Sequence, residues 1–176
     1  MSKIVSNVSN VSNVKNLLLG FPPVINETTH TLILGSFPGQ ASLQAQQYYA
    51  FPQNQFWRLL SQVLGEDLCA LAYPVRLAHL LAHGIGLWDV FEACMRQGSL
   101  DSAIRQGEIN DFKTLQETHP ALLRLCFNGK TAGKIDRDLS QLGYQTCHLP
   151  SSSPAYAQMR FDEKLLQWQQ IKSKTT

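Results

Sequence analysis

The residues of this chain best suited to chemistry stand where apolar runs break off. Thr31-Leu32-Ile33-Leu34 runs into Gly35-Ser36-Phe37-Pro38-Gly39. A strand that stops at a glycine turn places backbone and polar groups at the mouth of an α/β sheet. Tyr48 and Tyr49 follow; a tyrosine there can be core or a stacking face for a planar ligand. Asn54 precedes the amphipathic run that opens with Phe56-Trp57. Asparagine is a strong helix cap, and its amide can also hold a water or a base edge. The two uses are compatible, because this helix start would face the sheet mouth. Asn128-Gly129-Lys130-Thr131 is either an anion site, built from backbone N–H groups at a helix start, or a plain strand-to-helix turn. Ser151-Ser152-Ser153-Pro154 is either a phosphate grip made of hydroxyls and N–H groups or an exposed connector.

Several other patterns fail on spacing. A phosphate loop ending in Gly129-Lys130-Thr131 needs glycine at 124, where Arg124 stands. Gly84-Ile85-Gly86 lacks the third glycine of a dinucleotide fingerprint and precedes a strand. Ser36 with His148 and Asp89 would make a serine-hydrolase triad, but Gly-Ser-Phe-Pro-Gly is not the Gly-x-Ser-x-Gly elbow. The four cysteines, at 69, 94, 126 and 147, form no Cys-x-x-Cys pair. They are read as reduced, mostly buried thiols, and no metal site is expected.

The elements that must position these residues follow from periodicity. Strands are expected at 31–35, 85–90, 122–127 and 144–149. Helices are expected from Asn54 or Gln55 to Leu64, from Pro74 to Gly84, and over 111–118, 129–142 and 161–172. The stretch 98–110 reads as loop. Phe56, Leu59, Leu60, Val63 and Leu64 recur at helical spacing before Gly65, a suitable C-cap. The alternating order predicts an α/β fold, a three-layer α/β/α sandwich around a mostly parallel four-stranded sheet. Sites in such sheets lie beyond the carboxyl ends of the strands, which selects the loops 35–53, 128–132 and 149–158.

Composition sets the outer limits. With 176 residues, 44% of them hydrophobic, the chain can bury roughly 70% of its unfolded surface without staples. Residues 1–16, with the repeat VSNVSNVSN, read as a disordered polar leader, and 17–176 as one domain. The leader lacks the apolar core of a signal peptide, and no apolar run reaches the roughly 18 residues of a membrane helix. A cytoplasmic protein without membrane contact is expected. The formal net charge of +2 is compatible with a nucleic-acid partner and does not by itself establish one.

Three segments taken together resemble the uracil-DNA glycosylase superfamily, most of all its DNA-deoxyinosine (hypoxanthine) branch. They are Gly35-Ser36-Phe37-Pro38-Gly39, Tyr48-Tyr49-Ala50-Phe51-Pro52-Gln53-Asn54-Gln55-Phe56-Trp57, and Leu149-Pro150-Ser151-Ser152-Ser153-Pro154-Ala155. The mismatch-specific branch is similar too, with Gly-x-Asn-Pro-Gly and a Pro-x-Asn-x-Phe-Trp helix start. The resemblance spans about 30–160.

It implies an enzyme that rotates a deaminated nucleotide out of DNA and hydrolyses its N-glycosidic bond, leaving an abasic site. Such an enzyme must stabilise negative charge on the departing base and place a water. By position, Tyr49 corresponds to the aromatic that stacks on the base. Gly35, Ser36, Phe37, Pro38 and Gly39 correspond to the loop that cradles the base and activates water. Ser151, Ser152, Ser153 and Pro154 correspond to the loop that pinches the DNA backbone. Two positions depart from the family pattern. Ser36 replaces the usual Asn or Asp that positions water, and Leu149 replaces a donor to the base. In the deoxyinosine branch an asparagine beyond the first motif takes over; Asn54 is the candidate, with Asn128 in reserve. Lys130, Lys134 and Arg160 are the candidate phosphate contacts. No cofactor is implied, and the expected partner is DNA containing a deaminated base, bound by a monomer. A non-catalytic DNA-binding module of the same fold is the alternative, and a serine hydrolase a weaker one.

Overall fold

The computed structural model describes residues 17–172; the segment expected as a polar leader lies outside them. In chain order the strands and α-helices are β1 Leu17–Leu19, β2 Thr31–Gly35, α1 Gln40–Ala45, α2 Phe56–Leu64, α3 Tyr73–Ala82, β3 Ile85–Asp89, β4 Phe91–Met95, β5 Arg105–Ile109, α4 Phe112–Thr118, β6 Arg124–Asn128, α5 Asp136–Gln141, β7 Gln145–Leu149 and α6 Phe161–Trp168.

The main sheet has the order β3-β2-β6-β7, and all its pairs are parallel. The fold is the expected α/β class, with the sheet between two helical layers. Because side chains alternate along a strand, each strand feeds both layers. Ile33, Ile85, Leu87 and Cys126 pack with Phe56, Leu59, Leu60, Leu80 and Trp168 on one face. Leu32, Leu34, Trp88, Leu125 and Phe127 pack with Phe112, Leu115 and Leu139 on the other. Each large side chain fully removed from water contributes about 1.5–3 kcal/mol, and Phe56, Phe127 and Trp168 are fully buried. They hold the layers that carry the strand ends.

Besides the unexpected strands β1 and β4, three segments differ from the periodicity reading, each for a physical reason. The stretch 98–110 contains a 3-10 turn, Asp101–Ala103, and the strand β5. β5 joins β1 and β4 in a separate antiparallel sheet. All five β5 residues are exposed, so no apolar alternation marks it. The helix expected over 129–142 is a 3-10 turn, Ala132–Ile135, followed by the short α5. Gly129 has φ +98°, outside the right-handed helical region, so the helix cannot begin there. The loop between β2 and α2 contains α1, whose only buried side chain is Ser42, so it too carries no apolar stripe.

Candidate active site

The chain runs from β2 to β3 on one side of the sheet and later returns through β6 on the other. The loops that leave the carboxyl ends of β2 and β6 therefore diverge. A crevice at such a reversal point is the expected ligand site of an open α/β sheet. A cavity of about 880 Å³ opens there. Its wall includes Gly35 to Gly39, Tyr49, Asn54, Asn128, Lys130 and Ser151 to Pro154. The three loops selected from sequence thus converge on one space of the size that ligand sites occupy.

Tyr49 is held by α2. Its ring lies parallel to Phe56, with centroids 3.6 Å apart and planes 6° apart. Phe56 is itself wedged edge-on against Trp57 and Trp168. One face of Tyr49 is thus occupied by the core while the residue lines the cavity. The Tyr49 backbone sits at φ +55°, rare for a bulky residue. Its hydroxyl is buried near the Asn128 side chain but makes no hydrogen bond of good geometry. Burial, with the nearby Asp89 charge, pushes this phenol far above its usual range.

Asn54 stands just before the cap of α2. Its Oδ1 accepts the backbone N–H of Phe56 at 3.0 Å. Gln55, the N-cap residue, makes no side-chain cap, so Asn54 supplies the stabilisation from one position further out. This bond also orients the amide. The oxygen is committed to the helix, and Nδ2 remains as the donor. Asn54 is partly exposed and lines the cavity. The cap bond therefore leaves the amide nitrogen on the cavity side of the sheet mouth.

Asn128 and the serine loop form a unit. Asn128 Nδ2 donates to Ser152 Oγ, and Ser152 N–H donates back to Asn128 Oδ1, each at 2.9 Å. Ser152 is fully buried, and its carbonyl accepts the N–H of Gln55 at 2.9 Å. Trp168 Nε1 donates to the Pro150 carbonyl at 2.9 Å. Lys164, also buried, donates to Gln55 Oε1 at 3.0 Å and to the Tyr156 carbonyl at 2.9 Å. A Cβ at Gly129 would lie 3.1 Å from Ser151 Cβ, so the small residue admits the loop. Asn128 and Ser152 thus brace the loop from inside. Ser151, Ser153 and Pro154 are its more exposed members. Leu149, without a donor, is buried in the core.

An acidic cluster under the first loop was only partly visible in sequence. Gly35 and Asp89 are paired at the ends of β2 and β3. A Cβ at Gly35 would come within 2.4 Å of Asp89 Oδ1 and 3.0 Å of the Tyr49 hydroxyl. Glycine therefore admits both groups. Asp89 is 3% exposed, and its Oδ2 is sealed without a partner. Burial, with the Asp101 charge, raises its pKa to about 8, against the opposing pull of Arg96. Asp101 is raised as well, chiefly by burial, while Ser36, Arg96 and Lys134 oppose the rise. Arg96 is buried, donates through Nη2 to the Pro38 carbonyl, and leaves Nε and Nη1 without partners. Asp101 and Arg96 lie in or beside the unrecognised second sheet and gave no periodic signal. Asp89 was named from sequence only as a triad carboxylate; its place at the end of a parallel strand is the signal that could have marked it for the site.

Other candidates sit elsewhere. Arg160 is exposed at the start of α6 and lies beside Glu163, outside the cavity wall. Lys134 is outside the wall too, facing Asp101 from a distance. His148 lines the cavity but pairs its Nε2 with Asp136 at 2.7 Å. The Ser36–His148–Asp89 triad is therefore not assembled. Among the described residues, no group of three or more His, Cys, Asp or Glu side chains is placed to hold a metal. No helix among them is long and apolar enough to cross a membrane.

Comparison with known proteins adds a family to this geometry. Residues 22–172 match the family model of the uracil DNA glycosylase superfamily. The chain is 51% identical over 136 residues to a hypoxanthine DNA glycosylase of Methanosarcina acetivorans, covering 77% of this chain and 86% of that protein. It is 49% identical to the hypoxanthine DNA glycosylase of Methanosarcina barkeri, with the same coverage. A G/U mismatch-specific uracil DNA glycosylase of Schizosaccharomyces pombe is 32% identical over 96 residues, 54% of this chain and 28% of that protein. A solution NMR structure of a candidate uracil DNA glycosylase from M. acetivorans superposes with a TM-score of 0.80 at 45% identity. It covers 88% of this chain and 96% of that one.

Proposed function

Because this chain belongs to the uracil DNA glycosylase superfamily, we propose that it excises a deaminated base from DNA, hypoxanthine first, and leaves an abasic site. The observation that carries the reading is the joint presence of the Tyr49 ring and the Asn54 amide in one cavity at the reversal point of the sheet. A base cannot be attacked inside the stack, so the nucleotide turns out into the cavity. Extrusion costs a few kcal/mol, least at a mispaired base. Stacking on the open face of Tyr49 returns about 1–3 kcal/mol.

Water adds to the sugar carbon, the glycosidic electron pair leaves with the base, and the proton lost by water balances the base anion. The protein's share is electrostatic. Asn54, its oxygen held by the Phe56 N–H, offers Nδ2 to the departing base or to the oxygen of the attacking water. The backbone of Gly35 to Gly39 forms the cradle beneath the base. Ser36, whose hydroxyl is drawn toward Asp101, assists in placing water. Asn128 acts mainly through Ser152. Ser151, Ser153, Pro154 and Lys130 meet the DNA backbone at the rim, and Lys134 and Arg160 add charge further out. The working form in this reading is a monomer that acts on DNA inside the cell.

The test is cleavage of matched labelled duplexes carrying deoxyinosine, deoxyuridine or deoxyxanthosine, with alkali to break abasic sites. Cleavage at deoxyinosine is expected. Cleavage at deoxyuridine alone would keep the chemistry and move the substrate. Binding without any cleavage would favour a non-catalytic module.

A further inference from the structure

The groups that the mechanism above leaves unused lie on the cavity floor. Asp89 contributes to the cavity wall, is almost wholly buried, and has an oxygen sealed without a partner. Among the described residues no ion pair reaches its carboxyl, although Arg96 has two nitrogens without hydrogen-bond partners nearby. The Tyr49 hydroxyl, close to the same point above Gly35, also lacks a well-formed hydrogen bond, with only the Asn128 side chain near it. A buried ionised carboxylate normally collects N–H donors or an opposite charge in contact. This one has only Arg96 acting on it without an ion-pair contact, so a neutral acid with a hydrogen to donate fits the site better than an anion.

We propose that Asp89 works as a neutral carboxylic acid whose O–H donates a hydrogen bond to an acceptor on the edge of the flipped base, an oxo or ring-nitrogen atom of a 6-oxopurine. The inference rests on the glycosylase reading and deepens it. It supplies, beside Asn54, a donor to the base that Leu149 cannot provide. The base gains negative charge as its bond to the sugar breaks, and a donor aimed at it stabilises that charge. A carboxylate in the same place would repel it. The groups facing Asp89 are Asp101 and Arg96 from the second-sheet side, and Tyr48, Tyr49 and Tyr73 from the side of α1 to α3. Burial and Asp101 keep the proton on Asp89 up to about pH 8. Base recognition should therefore weaken as pH rises through that value.

The experiment compares the full chain with Asp89→Asn and Asp89→Leu. It measures binding to a duplex carrying a non-hydrolysable fluorinated-sugar deoxyinosine and to a matched duplex, from about pH 6 to about pH 9.5. The same samples are followed by carboxyl-carbon NMR, in which the Asp89 signal is assigned by its absence in Asp89→Asn. The expected results are an Asp89 signal that moves near pH 8 and a wild-type preference for deoxyinosine that falls about tenfold or more above it. Asn keeps an N–H donor, so Asp89→Asn should lose no more than about fivefold and lack the alkaline fall; Asp89→Leu should lose about tenfold to a hundredfold at every pH. A signal moving near pH 4 would overturn the proposal, as would a preference that strengthens with pH or Asn and Leu variants that lose equally. The glycosylase reading fails separately, if wild type shows neither preference for deoxyinosine nor cleavage of any deaminated substrate. Urea unfolding confirms that both variants are folded.

Discussion

Replacing Tyr49 separates its ring from its hydroxyl, and the structure assigns them opposite weights. The ring is stacked on Phe56 at 3.6 Å, a pair contributing about 0.5–1.5 kcal/mol beyond the area it buries. Truncation to alanine also removes the packing of a partly buried aromatic, so Tyr49→Ala should destabilise the fold by about 2–4 kcal/mol. It further deletes the platform for the base, about 1–3 kcal/mol, which is about 5-fold to 150-fold in affinity for an extruded nucleotide. Tyr49→Phe keeps both stacks and removes a buried hydroxyl that makes no well-formed hydrogen bond. Its stability should hold or rise by about 1 kcal/mol, and deoxyinosine binding should fall no more than about threefold. The assay pairs urea unfolding with binding to deoxyinosine and matched duplexes, since only the difference between duplexes reports the extruded base. Equal losses in Phe and Ala would refute the assignment to the ring. Equal weakening on both duplexes in Tyr49→Ala would reduce Tyr49 to a core residue.

Gly35→Ala should cost about 1–3 kcal/mol, because its Cβ would meet Asp89 Oδ1 at 2.4 Å; adding Asp89→Ala should recover part of that, and strict additivity in unfolding would contradict the contact. Burial pushes the Asp89 carboxyl in the folded state up to about 8, well above the ordinary carboxylate range. Its stabilising contribution is therefore complete below about pH 4 and lost as pH rises through about 8, at up to about 1.4 kcal/mol per unit in between. Asp89→Asn should flatten that slope in denaturant titrations, leaving what Asp101 contributes in the same direction; parallel curves would contradict the burial argument. With Lys130, Lys134 and Arg160 each neutralising one phosphate, the slope of log affinity against log salt should be about −2.7 on duplex DNA. A slope beyond about −5 would mean that the DNA path runs over other cations.

The legible parts of the molecule were those whose chemistry repeats along the chain. β2, β3, β6 and β7 and the helix α2 follow apolar periodicity, and the loops after β2, β6 and β7 were selected because they end parallel strands. Asn54, Tyr49 and the serine loop then fell on one wall. The second sheet was invisible because β5 is exposed along its whole length, and β4 pairs with it in a shifted register and with β1 far upstream. With it went Arg96 and Asp101. The roles of Asn128 and Ser152 turn on two reciprocal hydrogen bonds across 24 residues, a long-range contact that local spacing does not encode. For Asn54 the sequence offered a cap and a site role as compatible; the structure shows the cap bond, with the Phe56 N–H on the amide oxygen.

Single-turnover cleavage of a deoxyinosine duplex by wild type and Asn54→Ala, with binding measured on the same samples, tests the central claim most directly. An amide acting on the departing base or its water predicts cleavage by wild type and a loss of about a hundredfold or more in the variant, with duplex affinity changed by less than about threefold. The lost cap should cost only about 1 kcal/mol of stability. Cleavage that survives in Asn54→Ala would contradict the account and return the chemistry to the loop from Gly35 to Gly39.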